Sequence, residues 1–236
     1  MTVVARGALS RALLPGRRGP EWWPWGVAAT GCLVLVALAV AGHDHGGSPV
    51  THASGAAAMV AMMAPLVARN VRYAALRSPR EARAGVAVAV VAGWALAWAG
   101  AAILLGVGTA QLAGAVGAAG ATVLATAVTV GWQRSPPKQR SLARCARVFA
   151  PPLGRRARRA SCRYGAGLGR DCVLSCWPLM ALMAVAGHNP VVVAACGGVA
   201  WYERRRPHHD PATRGTSFAV AAIGATALVL ATGAAG

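Results

Sequence analysis

Long uncharged apolar runs alternate with short basic segments along this chain. Seven runs stand out, at roughly residues 25–42, 53–68, 85–107, 110–131, 172–187, 189–202 and 216–235. A helix needs about 20 residues to cross a bilayer, within a range of about 17–25. The third, fourth and seventh runs meet that length, and a turn near 108–110 separates the third from the fourth. The first, second and fifth are near the lower edge. The sixth, NPVVVAACGGVAWY, is short and fits a locally thinned bilayer or a re-entrant segment. The pattern predicts an all-α fold: a polytopic transmembrane helix bundle of about seven spans, or six plus a re-entrant segment.

Charge gives that bundle an orientation. The 236 residues are 56% hydrophobic and 13% charged, yet the formal net charge is +18. A soluble nucleic-acid binder spreads such charge over an exposed face and interleaves it with stacking aromatics, and neither feature is present. All 24 Lys and Arg instead fall in alternate segments, residues 1–24, 69–83, 132–171 and 203–215. The positive-inside rule makes these four segments cytoplasmic, with the N-terminus in and the C-terminus out. The expected organisation is a basic cytoplasmic segment, 1–24, followed by one transmembrane domain, 25–235. That domain carries a cytoplasmic basic loop at 132–171 that meets anionic lipid. Trp22, Trp23, Trp25, Trp132, Trp201 and Tyr202 lie at cytoplasmic ends of spans, as an aromatic belt does. The expected location is the inner (plasma) membrane, multi-pass. Residues 1–24 with Ala39-Val40-Ala41 also fit a cleaved signal sequence, which the seven-span alternation does not need.

The glycines of the third and fourth runs, Gly100, Gly106, Gly108, Gly114, Gly117 and Gly120, are expected to let helix backbones approach closely.

Soft donor atoms sit inside these runs. Residues 171–190 read DCVLSCWPLMALMAVAGHNP, with Cys172, Cys176, Met180 and Met183 spaced by four, four and three. Those steps put all four on one helix face. The face climbs about 16 Å from Cys172 to Met183 at the α-helical rise of about 1.5 Å per residue. The second run contains MVAMMAP, whose Met59, Met62 and Met63 share a face before Pro65 interrupts the backbone ladder. The outer loop reads GHDHGGSPVTH, with His43, Asp44, His45 and His52 together. Cys145 and Cys162 fall in the cytoplasmic loop, where thiols stay reduced. Thiolate and thioether donors suit Cu(I) best, and thiolate with imidazole also suits zinc. The same stripes equally serve packing, because Cys and Met fill irregular gaps well. Asp171 and Glu203, at inner ends of spans, are expected to pair with neighbouring Arg. The chain contains no GxSxG, no HExxH and no phosphate-binding glycine loop, so no enzyme is expected.

Three stretches carry a family likeness: AMMAP at 61–65, WQRSPPKQRSLARC at 132–145 and CVLSCWPLM at 172–180. With them the chain resembles the bacterial family of predicted metal-binding integral membrane proteins (domain of unknown function 2182). The likeness covers about residues 43–206. Ser141 and Ser175 stand where the family pattern has cysteines, Ala146 where it has Arg, and His188 where it has Met. The resemblance implies metal handling, with copper favoured and delivery to cuproenzymes as the role. Spacing, side-of-membrane order and likeness together nominate Met62, Met63, Cys172, Cys176 and Met180 as ligands within the membrane. His43 and His45 would capture or release metal outside, and Cys145 would exchange it inside. The cargo is copper as Cu(I), ahead of zinc, and the partners are membrane lipid and a metal chaperone or cuproenzyme. Two other readings stand beside this one. The chain is a structural or assembly subunit of another membrane complex, or an oligomer of its own, or it is a component of a copper membrane oxidase.

Overall fold

In the computed structural model, residues 49–148, 152, 156–205 and 213–233 are described. Among them the secondary structure is all helical. Helix α1 spans Pro49–Leu76, a 3₁₀ turn Arg80–Ala82 follows, and α2 spans Arg83–Gln133. Then come α3 (Pro136–Cys145), α4 (Ala157–Val185), α5 (Pro190–Arg205) and α6 (Thr213–Gly233). Three helical segments, Arg80–Gln133, Ala157–Val185 and Gly215–Thr232, are long and apolar enough to cross a membrane. The first expected span, 25–42, and the histidine-rich loop before α1 lie outside the described residues.

The third and fourth expected runs form one helical element, α2, and the expected turn near 108–110 is helical. The reversal comes later, at Gly117, with φ 73° and ψ 165°. That backbone region is essentially reserved for glycine, so the break falls where the chain offers a residue able to make it. The contacts show the two arms running in opposite senses. Along the first arm, Gly85 meets Arg158 and Gly93 meets Cys162 and Ala166, so it ascends with α4. On the second arm, Thr129 Oγ1 donates to the Pro178 carbonyl and Trp132 Nε1 to the Leu174 carbonyl, both at 3.1 Å, so it descends against α4.

Close approach uses different glycines from those expected. A Cβ on Gly93 would lie 2.1 Å from the Cys162 carbonyl, and one on Gly165 would lie 2.1 Å from the Val90 carbonyl. Gly169 rests on Trp94 and Ala97, and Gly224 of α6 on Thr126. Gly165 and Gly169 are one helical turn apart, the small-xxx-small spacing of tightly packed helices. By contrast, Gly100, Gly106, Gly108 and Gly114 face open space. The expectation placed backbone contact on the wrong part of α2. The contact lies on the first arm's initial turns, where α4 packs, and the far glycines extend past that seam.

The 132–171 segment is not a plain loop. It contains α3 and the first turns of α4. Ser135 caps α3, its hydroxyl accepting from the Lys138 N–H at 3.3 Å, and Pro136 and Pro137 occupy the first turn. Proline is well suited there because its missing N–H has no intrahelical role. At the other end of the bundle, α4 closes through Gly187 and His188 in left-handed conformation, φ 63° and 57°. The His188 N–H donates to the Met183 carbonyl at 2.9 Å. Asn189 then caps α5, its Oδ1 accepting from Val191 N–H at 3.0 Å.

The core joins α1, both arms of α2, α4, α5 and α6 around Val67, Trp98, Ala125, Leu179, Met183, Cys196 and Val220. Large apolar side chains also cover the outside: Val88, Leu96, Ile103, Leu104, Phe218 and Val229 are exposed.

Candidate metal centre

Helix α3 carries one thiol to the bundle. Its buried residues Lys138, Ser141, Leu142 and Cys145 recur at steps of three, one and three, so they form one face. Three polar clamps seat that face. Near its start, Lys138 Nζ lies 2.8 Å from Glu203 of α5 and also donates to Gln133 Oε1. In its last turn, Arg144 Nε lies 2.9 Å from Asp171 Oδ1 of α4. At its end, Asn70 Nδ2 of α1 donates to the carbonyls of Cys145 and Arg147, at 3.3 and 3.0 Å, and to the Tyr164 hydroxyl at 2.8 Å. Asp171 therefore pairs with Arg, as expected, whereas Glu203 takes Lys138 instead. The next residue, Arg204, is turned to other partners.

This seating brings Cys145 beside Cys172, close enough for the two thiols to interact. Cys145 is fully buried, and Cys172 and Cys176 are nearly so. The neighbouring Cys172 thiol, with burial second, pushes the Cys145 thiol well above the ordinary thiol range. Cys176 lies one turn along α4, and the Ser175 hydroxyl, 2.8 Å from the Cys172 carbonyl, sits 3.4 Å from its sulfur. Arg204 Nη1 approaches to 3.9 Å of Cys172 Sγ. The buried Trp94 indole N–H lies near the same sulfur and makes no hydrogen bond. Cys145, Cys162, Cys172, Cys176 and Cys196 are all free thiols.

The remaining nominated residues distribute as follows. Met63 and Met180 are fully buried in the same core, as is Met183. Met62 is half-buried, with its sulfur against Gly197 of α5. His43 and His45 lie outside the described residues. Ser141 and Ser175 are both buried beside the thiols, Ser141 one turn before Cys145 on α3 and Ser175 next to Cys176. Among the described residues no group of three or more His, Cys, Asp or Glu side chains is arranged to hold a metal ion. What the fold supplies is a pair of thiols on two helices, with a third thiol one turn away and a guanidinium beside them. Two thiolates suit a soft monovalent ion that accepts few ligands. A structural zinc site takes four.

The family described as PpoB2, copper chaperone, matches residues 54–227, well over half of the chain. The chain belongs to the PpoB2 copper chaperone family. Neither a curated protein nor a solved structure matches it. The PpoB2 match spans α1 through most of α6 and so includes all four residues of the thiol–guanidinium cluster. Copper handling, the coarse part of the expected function, follows from membership of PpoB2.

Sequence reasoning missed two participants. Arg204 counts there only as one of many inner-side charges, and Trp94 as one more apolar residue. Nothing in their spacing announces contact with Cys172.

Proposed function

We propose that this protein is an integral membrane copper carrier, not an enzyme, that holds Cu(I) between Cys145 and Cys172 and passes it on to cuproenzymes. The observation that carries the reading is the thiol-to-thiol pairing of these two cysteines, on separate helices, in a chain of the copper chaperone family. The exposed apolar side chains of α2 and α6 and the three long apolar segments support residence in a bilayer. The basic segments converge on one half of the bundle: Arg158 lies over Gly85, Asn70 binds the Arg147 carbonyl and Lys138 pairs with Glu203. Under the positive-inside rule that half faces the cytoplasm. The thiols then load from that side. Met63, Met180 and Met183, farther along the core, offer thioethers on the outward path, and His43 and His45 remain the proposed outer residues.

Cys145 is fully buried, so a partner's thiol reaches it only when α3 moves. Half of the face that α3 buries is polar, Lys138 and Ser141, so only Leu142 and Cys145 add apolar area that opposes that movement.

The test is copper content of the anaerobically purified protein after Cu(I) loading. Wild type should carry stoichiometric copper, and Cys145→Ser/Cys172→Ser should lose it while remaining folded. Equal copper in the two would end this reading. The assembly-subunit reading is favoured by one observation, the open glycines Gly100, Gly106, Gly108 and Gly114 on an apolar arm. It predicts a stably co-purifying membrane protein and no bound copper.

A further inference from the structure

Arg204 is a part-buried cation that no carboxylate pairs with among the described residues. Its Nη2 donates to the Leu66 carbonyl at 2.6 Å and reaches Asn70 Oδ1 at 3.5 Å, both on α1. Those oxygens fix the guanidinium in place. Glu203 is held by Lys138 and Asp171 by Arg144. Its nearest group able to carry negative charge is the Cys172 sulfur, at 3.9 Å. A charge partly withdrawn from water gains from a counter-charge. In this protein the thiol pair is placed to supply it.

We infer that Arg204 is the residue that selects the charge of the cargo, admitting a monovalent soft ion to the Cys145–Cys172 pair and disfavouring a divalent one. This rests on the reading of that pair as the copper site. The bookkeeping is simple. Two thiols lose two protons and bind Cu(I), leaving a complex of charge −1, which the guanidinium neutralises. A divalent ion on the same two thiolates is neutral, so the part-buried guanidinium stays without a counter-charge. The Trp94 indole N–H, buried near the same sulfur without a hydrogen-bond partner, favours the anionic complex in the same sense. No reductant or oxidant enters, because the ion arrives and leaves as Cu(I).

The size of the effect follows from how charges act at this range. An opposite charge within about 4–6 Å changes a group's proton affinity by about 1–3 pKa units. The same field acts on the anionic metal complex, so removing it should weaken Cu(I) binding by about ten- to a thousandfold.

The experiment uses the full-length protein in detergent and two pairs of ions, Cu(I) against Zn(II) and Ag(I) against Cd(II). Silver and cadmium are both soft and differ in charge. Affinities are read by competition with chelators. Wild type should hold Ag(I) in preference to Cd(II). Arg204→Gln should lose at least about tenfold in Cu(I) and Ag(I) affinity, with no comparable loss for Cd(II). Arg204→Lys, which keeps the charge, should retain the monovalent preference. A purely structural role would lower affinity for all four ions alike, and would overturn the inference. So would Cd(II) binding to wild type as tightly as Ag(I), a result that needs no variant. If Cys145→Ser/Cys172→Ser leaves binding unchanged, the site itself is misassigned and the inference falls with it. If that variant loses copper while Arg204→Gln keeps wild-type selectivity, the site stands and only the role of Arg204 fails.

Discussion

Replacing Lys138 by Met tests whether the polar clamps hold α3 in place. Lys138 and Glu203 are 1% and 7% exposed and 2.8 Å apart, so their ion pair is buried. Removing one partner of such a pair costs about 3–5 kcal/mol, because it leaves the other charge uncompensated. For a chain of this size, each kcal/mol lowers the melting temperature by about 2–4 °C, so Lys138→Met should melt roughly 6–20 °C below wild type. Tryptophan fluorescence on heating, in detergent, gives the number. Burial already pushes the Glu203 carboxyl up, and Lys138 opposes that shift. Without Lys138 the folded-state pKa rises further above its unfolded value. A raised pKa contributes stability below the unfolded value, near 4.3, that is lost as pH rises. The deficit of Lys138→Met should therefore be larger at pH 8 than at pH 5. The double variant Lys138→Met/Glu203→Gln removes both charges and should recover at least half of the loss. A single variant melting within about 2 °C of wild type would show that the pair is hydrated and does not pin α3. A double variant as unstable as the single one would assign the loss to packing.

The other predictions concern the site and its frame. The Cys145 thiol is held protonated by the neighbouring Cys172 thiol and by burial, so Cu(I) uptake must displace at least one proton. Affinity should then rise at least about tenfold per pH unit between pH 6 and 8, and a pH-independent affinity would contradict this. Asn70→Ala removes the donor that holds the Cys145 and Arg147 carbonyls, and should cost about 1–3 kcal/mol and speed copper release to a chelator. Unchanged release would mean that α3 does not gate exchange. Gly165→Ala puts a methyl 2.1 Å from the Val90 carbonyl and should destabilise the bundle by about 1–3 kcal/mol, visible in thermal melting, whereas Gly108→Ala, facing open space, should not. Ser141→Cys/Ser175→Cys adds two thiols beside the existing ones and should tighten Cu(I) binding, read by chelator competition.

The helical class was legible because uncharged runs of near-membrane length occur at 53–68, 172–187 and 216–235, and each lies largely within α1, α4 or α6. Helix α3 was hidden for a physical reason. Its buried face carries Lys138 and Ser141, so the apolar period that announces a helix is absent, and only the Ser-Pro-Pro start at 135–137 marks it. The break at Gly117 was hidden among neighbouring glycines, any of which permits a turn and only one of which makes it. Cys145 and Cys172 were each nominated, but their pairing, 27 residues apart in sequence, is a product of how α3 seats on α4. Arg204 was illegible as a site residue because counting charges for topology treats every arginine alike.

That last point changes what the basic residues mean. Most of them orient the chain by staying in water, and such charges contribute little to stability. Lys138 is buried and Arg204 part-buried, so both gain from a nearby anion. Glu203 answers Lys138 permanently. No carboxylate answers Arg204 among the described residues, and the group that faces it is the Cys172 sulfur at 3.9 Å. Binding to the folded state alone stabilises by RT ln(1 + [L]/Kd), about 2.7 kcal/mol at a hundredfold excess over Kd. On the proposed reading, affinity for Cu(I) is partly a property of the guanidinium, and Arg204 sets which ion the thiols retain.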